Sequence, residues 1–96
     1  MKLYDQLKKK RGDILRIASQ HGAYNVRVFG SVVRDDADSK SDIDFLVDME
    51  TDRSLFDLGG LLMDLKALLK RDIDVVTEKS LHWYIRNRVI KESKRL

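Results

Sequence analysis

The chain has 96 residues, 19 of them basic and 16 acidic, for a net charge of +3, and it contains neither cysteine nor proline. A chain of this length buries about 60–65% of its unfolded surface, enough for one compact core, so residues 1–96 are read as one domain. Disulfides and thiolate metal sites are excluded with the cysteines, which leaves any metal to carboxylates or to His21 and His82. No run approaches the ~20 apolar residues that span a bilayer, and residues 1–11 alternate lysine with apolar side chains instead of forming a signal-peptide core, so a soluble, cytoplasmic protein is expected.

The signs of charge are unevenly placed. Acids crowd residues 35–57, whereas Arg86, Arg88, Lys91, Lys94 and Arg95 gather at the end of the sequence. The plain reading of that basic tail is a charged, solvent-facing helix side.

In chain order, Leu3, Leu7, Ile14, Ile17 and Ala18 fall roughly on one helical face, predicting a first helix over residues 2–20 with Gly12 as a weak point and His21-Gly22 as its stop. Residues 26–29 form a short β-favouring run closed by Gly30, and Ser31 then opens a segment, residues 32–36, able to form a short helix. A polar loop over 36–41 leads to a strand in which Ile43, Phe45 and Val47 alternate with Asp42, Asp44, Leu46 and Asp48. Leucines 55, 58, 61, 62, 65, 68 and 69 repeat at three and four residues, with Ser54 as N-cap and Lys66, Lys70 and Arg71 near the C-terminal end, so this is the clearest helix. Gly59-Gly60 inside it disfavours helix by about 1 kcal/mol per glycine, and close packing is the preferred explanation. Ile73, Val75 and Val76 predict a further strand, and Ser80 a cap for a final helix carrying Leu81, Ile85, Val89 and Trp83 on its apolar side. The order αβαβαβα implies a layered α/β (α+β) fold, a small mixed sheet with helices packed on it.

The chemistry concentrates in Gly30-Ser31, Arg34 and Ser41-Asp42-Ile43-Asp44, a pattern G-S-x-x-R followed by S-D-x-D, with Asp74 on the next predicted strand. Glycine after a strand lets the backbone turn tightly, and serine at the helix start adds a hydroxyl beside unpaired amides; together they suit the β- and γ-phosphates of a triphosphate. Asp42 and Asp44, two residues apart on a strand, point to one face, where two like charges are unfavourable without a cation. Hard divalent ions prefer oxygen ligands, and Mg²⁺ bridges substrate phosphates, so magnesium is the economical inference. A third carboxylate from a neighbouring strand completes a two-metal arrangement for in-line displacement; Asp74 is the choice and Asp72, on the same predicted face, the substitute. Singly, each aspartate reads as a solvated strand end; their spacing after Gly30-Ser31 favours an active site. Arg34 lies close enough to turn toward the acidic loop or a phosphate, with a structural ion pair the more usual role. His82 has no second ligand at usable spacing and reads as a surface or interface histidine.

These residues resemble the DNA polymerase β-like nucleotidyltransferase superfamily through Gly30, Ser31, Asp42, Asp44 and Asp74. More narrowly, G-S-V-V-R-D-D-A-D-S-K-S-D-I-D-F-L-V, S-L-F-D-L-G-G-L-L-M-D-L and D-V-V-T-E-K-S-L-H look like the MNT antitoxins of prokaryotic HEPN/MNT toxin–antitoxin pairs. The resemblance implies a minimal polymerase-like palm, MgATP as substrate, and transfer of AMP to a tyrosine hydroxyl of a partner HEPN ribonuclease, with release of pyrophosphate. It implies that Gly30 and Ser31 hold the triphosphate, with Arg34 and Ser41 of the same pattern beside them. Asp42 and Asp44 would bind the metals, and Asp74 would bind metal and help deprotonate the nucleophile. Asp35 stands where relatives often carry glycine, a departure that touches no catalytic carboxylate.

Two other readings share the fold: an antitoxin that acts by binding alone, and a transferase whose acceptor is a small molecule or RNA. Intact carboxylates argue against the first, and the shortness of the chain, which leaves nothing to build an acceptor pocket, against the second. The final helix, with Trp83 and Tyr84, is the suspected partner surface, although burial of these aromatics against the sheet is equally ordinary.

Overall fold

The computed structural model describes residues 2–34 and 41–96. Four strands, β1 (Ala23–Phe29), β2 (Ile43–Met49), β3 (Ile73–Val76) and β4 (Lys94–Arg95), form one mixed sheet in the order β3-β2-β1-β4. β2 runs antiparallel to β1 and parallel to β3, and β4 closes the far edge antiparallel to β1. Helices α1 (Leu3–Lys9), α2 (Arg11–Gln20), α3 (Ser31–Arg34), α4 (Leu55–Leu69) and α5 (Trp83–Glu92) complete the fold, with a short 3-10 turn at Glu78–Ser80.

Period-two alternation in β2 sends side chains into two separate cores. Ile43, Phe45 and Val47 join Leu7, Ile14, Ala18, Leu61 and Leu65, so α1, α2 and α4 cover one face. Leu46, on the other face, meets Leu81 and Val89, with Phe29, Val76, Ile85 and Ile90 around them, so α5 covers that side. This explains why β2 is not acidic along the whole of one face: beyond Asp44 the same face turns apolar where α5 arrives. β1 carries a bulge, since Tyr24 pairs with Asp48 and Arg27 with Leu46, leaving Asn25 and Val26 opposite Val47 alone. Asn25 takes the left-handed φ of 51° there, and the extra residue lets Ala23 share the core face of Val26 and Val28.

Several sequence-based expectations require correction. The helix predicted over 2–20 is two helices, broken at Lys10 (φ −96°, ψ 11°), whose N–H is shared between the carbonyls of Gln6 and Leu7; the break precedes Gly12 by two positions in the sequence. The first strand begins at Ala23, ahead of residue 26, because the bulge carries pairing past Asn25. Ser80 does not cap the last helix; it closes a capping box with Thr77 around the 3-10 turn, and His82 caps α5 by accepting the Tyr84 N–H at Nδ1, 3.1 Å. Trp83 is not on the apolar side of α5 but exposed, and Leu55 likewise lies outside the buried stripe of α4. Part of the basic tail is a strand: Lys94 and Arg95 pair with Val28 and Arg27, and Tyr4 donates its hydroxyl to the Arg95 carbonyl at 2.8 Å. Ser54 caps α4 as expected, in a reciprocal box with Asp57. Of the glycine pair, Gly60 meets the expected close packing, its missing Cβ leaving room for the His21 ring, whereas Gly59 faces open space. The predicted loop at 36–40, the end of the short helix at 35–36 and the departure at Asp35 lie outside the described residues.

Candidate active site

Three segments converge at the beginning of β2. The end of β1 runs beside it, with Phe29 opposite Asp44. β3 lies on its other side, aligned by the Ile43 N–H donating to the Asp72 carbonyl at 3.0 Å, and this register sets Asp74 directly across from Asp44. Both carboxylates fall on the sheet face that α5 covers further along, as Leu46 and Val76 do two residues later.

Gly30 ends β1 with φ at 75°, a conformation that disfavours every side chain, and it is buried. A Cβ at this position would stand 2.5 Å from Oδ2 of Asp44, so the glycine is required twice, by the turn and by the carboxylate beside it. The Gly30 carbonyl accepts the N–H groups of Val33 and Arg34, which winds α3 immediately after the turn and places half-buried Ser31 as its first residue.

The Asp44 carboxyl is pushed up to about 6, first by burial, then by the negative charges of Asp74 and Asp42, with Arg34 opposing. Three of the four acidic residues named from the sequence are thus brought into electrostatic contact. Asp72 is not among them: its carboxylate is turned to Lys66, Oδ1 to Nζ 3.5 Å. Asp42 and Asp74 are exposed, whereas Asp44 is half-buried. Ser41 enters through its backbone, its carbonyl accepting from Arg71 Nη2 at 2.7 Å.

Arg34 sits 2.8 Å, Nη1 to Oε1, from Glu92 on α5. The ion-pair expectation for Arg34 is met by Glu92 of α5. Glu92 also adds to the negative field at Asp44, and sequence reading passed over it entirely. No local signal announces it, because it lies 58 positions from Arg34. On the same sheet face, Arg27 is buried and ties β1 to Asp48 (3.0 Å) and Glu78 (3.1 Å).

Among the described residues, no group of three His, Cys, Asp or Glu side chains is already drawn around a single ion position. The donor chemistry still fits a hard divalent cation: oxygen ligands only, in mutual repulsion, two of them exposed.

A glycine-serine turn abutting paired carboxylates at one end of the strands of a small α+β sheet is the arrangement of an enzyme that handles nucleoside triphosphates and transfers a nucleotidyl group. The chain belongs to the nucleotidyltransferase domain family, whose model matches residues 7–96, and is a minimal member related to the antitoxin MntA. It is 34% identical over 89 residues to MJ0435 of Methanocaldococcus jannaschii, provisionally named a protein adenylyltransferase, covering 93% of this chain and 92% of that protein. To the protein adenylyltransferase MntA of Thermococcus cleftensis it is 38% identical over 76 residues, 79% of this chain and 77% of the relative. A solved structure provisionally described as a minimal nucleotidyltransferase superposes with a TM-score of 0.86 at 39% identity, over 97% of this chain and 95% of that one. A toxin–antitoxin structure solved with AMP-PNP shares the fold at a TM-score of 0.74 and 21% identity, over 88% and 69% of the two chains. Among the described residues no helix is long and apolar enough to cross a membrane.

Proposed function

We propose that this protein is an antitoxin that transfers AMP from MgATP to a tyrosine hydroxyl of a partner HEPN ribonuclease, silencing it and releasing pyrophosphate. The observation that carries the reading is the parallel register placing Asp74 beside Asp44, next to the Gly30 turn at φ 75°. The names of the two relatives, one a protein adenylyltransferase and the other provisionally so named, and the AMP-PNP complex of the more distant structure support the choice of nucleotide and acceptor.

In this reading Gly30 and Ser31 seat the β- and γ-phosphates through backbone N–H groups and the serine hydroxyl, with Arg34 and Ser41 bordering the triphosphate. Asp42, Asp44 and Asp74 would hold Mg²⁺, two ions in the full arrangement, which supplies charge neutralisation at the attacking and leaving oxygens. A tyrosine hydroxyl, with a pKa near ~10, needs a base, and Asp74, the exposed member of the pair, accepts its proton. The phenolic oxygen forms a bond to the α-phosphorus as the bond to the pyrophosphate oxygen breaks. Residues 1–96 act as one domain, and the acceptor is supplied by the partner.

The test is incubation of the purified chain with labelled ATP, Mg²⁺ and a HEPN ribonuclease from the same genome, followed by mass analysis of the partner. An AMP adduct on tyrosine is expected with the native chain and none with the Asp42→Asn/Asp44→Asn variant, which should still form the complex but no longer neutralise the toxin. Neutralisation by that variant would establish action by binding alone. An unmodified partner beside a labelled small molecule or RNA would move the acceptor elsewhere.

A further inference from the structure

Helix α4 has a second face that none of the described residues covers. Leu61 and Leu65 are buried against β2, but on the outer side Phe56 is 92% and Met63 64% exposed, with Gly59 and exposed Ala67 on the same line at spacings of three and four. Contiguous exposed apolar surface of this kind marks an interaction site. Gly59 sharpens the point. A Cβ there would meet no described atom within 4 Å, so no internal packing requires glycine at a position where it disfavours helix. Its neighbour Gly60 is explained by the His21 ring; Gly59 has no such neighbour among the described residues.

We infer that a second copy of this chain occupies the face, the two α4 helices crossing antiparallel at Gly59 about a two-fold axis. The charges select this occupant and this direction. Around the start of α4, Glu50, Asp52 and Asp57 outnumber Arg53; around its end, Lys66, Lys70 and Arg71 outnumber Asp64 and Asp72. Antiparallel pairing lays the acidic start of each helix along the basic end of the other, whereas parallel pairing sets like against like. Phe56 of each copy then meets Met63 of the other, and the absent side chain at Gly59 lets the backbones close at the axis. The surface is compatible with catalysis, because α4 lies across the sheet from the face that bears Asp44 and Asp74 and leaves that face open to a tyrosine-bearing partner.

Sedimentation equilibrium on the full chain tests this without reference to its enzymatic activity. A reversible dimer that weakens with salt is expected. Gly59→Leu fills space that is open within the chain, so the native circular dichroism spectrum should persist while dimerisation weakens by about tenfold or more. Asp52→Lys and Lys66→Glu, at positions that face each other when the helices cross at Gly59, should each weaken the dimer, and the double charge swap should restore it, since each reversed charge again faces its opposite. The inference is overturned by a chain that stays monomeric at all concentrations, whether or not a partner protein then covers α4. It is equally overturned by a dimer indifferent to Gly59→Leu, or by a double swap weaker than either single change.

Discussion

Asp44 is half-buried between two other aspartates, and the sign of its contribution to stability follows from that. Its carboxyl titrates at about 6 in the folded chain against 3.8 for the free side chain, so the native state holds the proton more tightly than the unfolded state does. The stabilising contribution is complete below the unfolded value and is lost as pH rises through about 6. Solvent screening of a half-exposed group reduces the loss to about 1–2 kcal/mol. In chemical denaturation without divalent cations, Asp44→Asn is therefore expected to be more stable than the native chain above pH ~7 and equal to it near pH ~4. An asparagine variant less stable at the higher pH would mean that neither burial nor the neighbouring charges penalise the ionised carboxylate. Gly30 makes the complementary prediction: alanine must adopt φ near 75° and place its methyl against the Asp44 carboxylate. Gly30→Ala should lower stability by about 1–3 kcal/mol and abolish adenylylation, measured by denaturation and by label incorporation.

At the scale of elements, what could be read from the sequence was what short-range pattern controls. α4 announces itself through leucines at three and four residues and a serine followed three positions later by aspartate, and β2 and β3 through alternation and β-branched residues. Ser54 accepts the Phe56 N–H at 3.2 Å, and Ser54→Ala should destabilise the chain by about 1 kcal/mol in denaturant titration; no change would show that Asp57 alone holds the cap. The features that escaped are set by partners distant in sequence. Lys94 and Arg95 have no particular β propensity, and they form a strand because the edge of β1 offers free backbone groups to pair with. Lys10 and Arg11 are good helix formers, so composition does not betray the break between α1 and α2. Asn25 signals a turn, yet pairing resumes beyond it as a bulge. The same division holds in the site: the residues of the G-S and D-x-D pattern lie together because a single turn and one strand carry them, and Asp74 follows from sheet register, but Glu92 comes from the far end of α5 and is visible only in three dimensions.

Taken whole, the molecule is a sheet with unlike sides. One face is sealed by α1, α2 and α4; the other carries the carboxylates at one end and is covered along its length by α5. A protein acceptor reaching Asp44 and Asp74 must come in along the second face, where α5 offers Trp83 and Tyr84, 73% and 75% exposed, stacked edge to face beside the His82 ring. Ile85, Val89 and Ile90 hold the helix to Leu46, so these two aromatics contribute little to folding and are available to a partner. Trp83→Ala/Tyr84→Ala should leave the free energy of unfolding within ~0.5 kcal/mol, as exposed substitutions do, while binding to the proposed HEPN partner falls by about tenfold or more. Because the variant touches no residue of the carboxylate cluster, adenylylation should lose kcat/KM and keep kcat once the partner is saturating. Calorimetry of complex formation and a rate series in partner concentration read the two quantities separately. An unchanged affinity would place the contact on another part of the face, and a fall in kcat would show that α5 orients the tyrosine as well as gripping the protein that carries it.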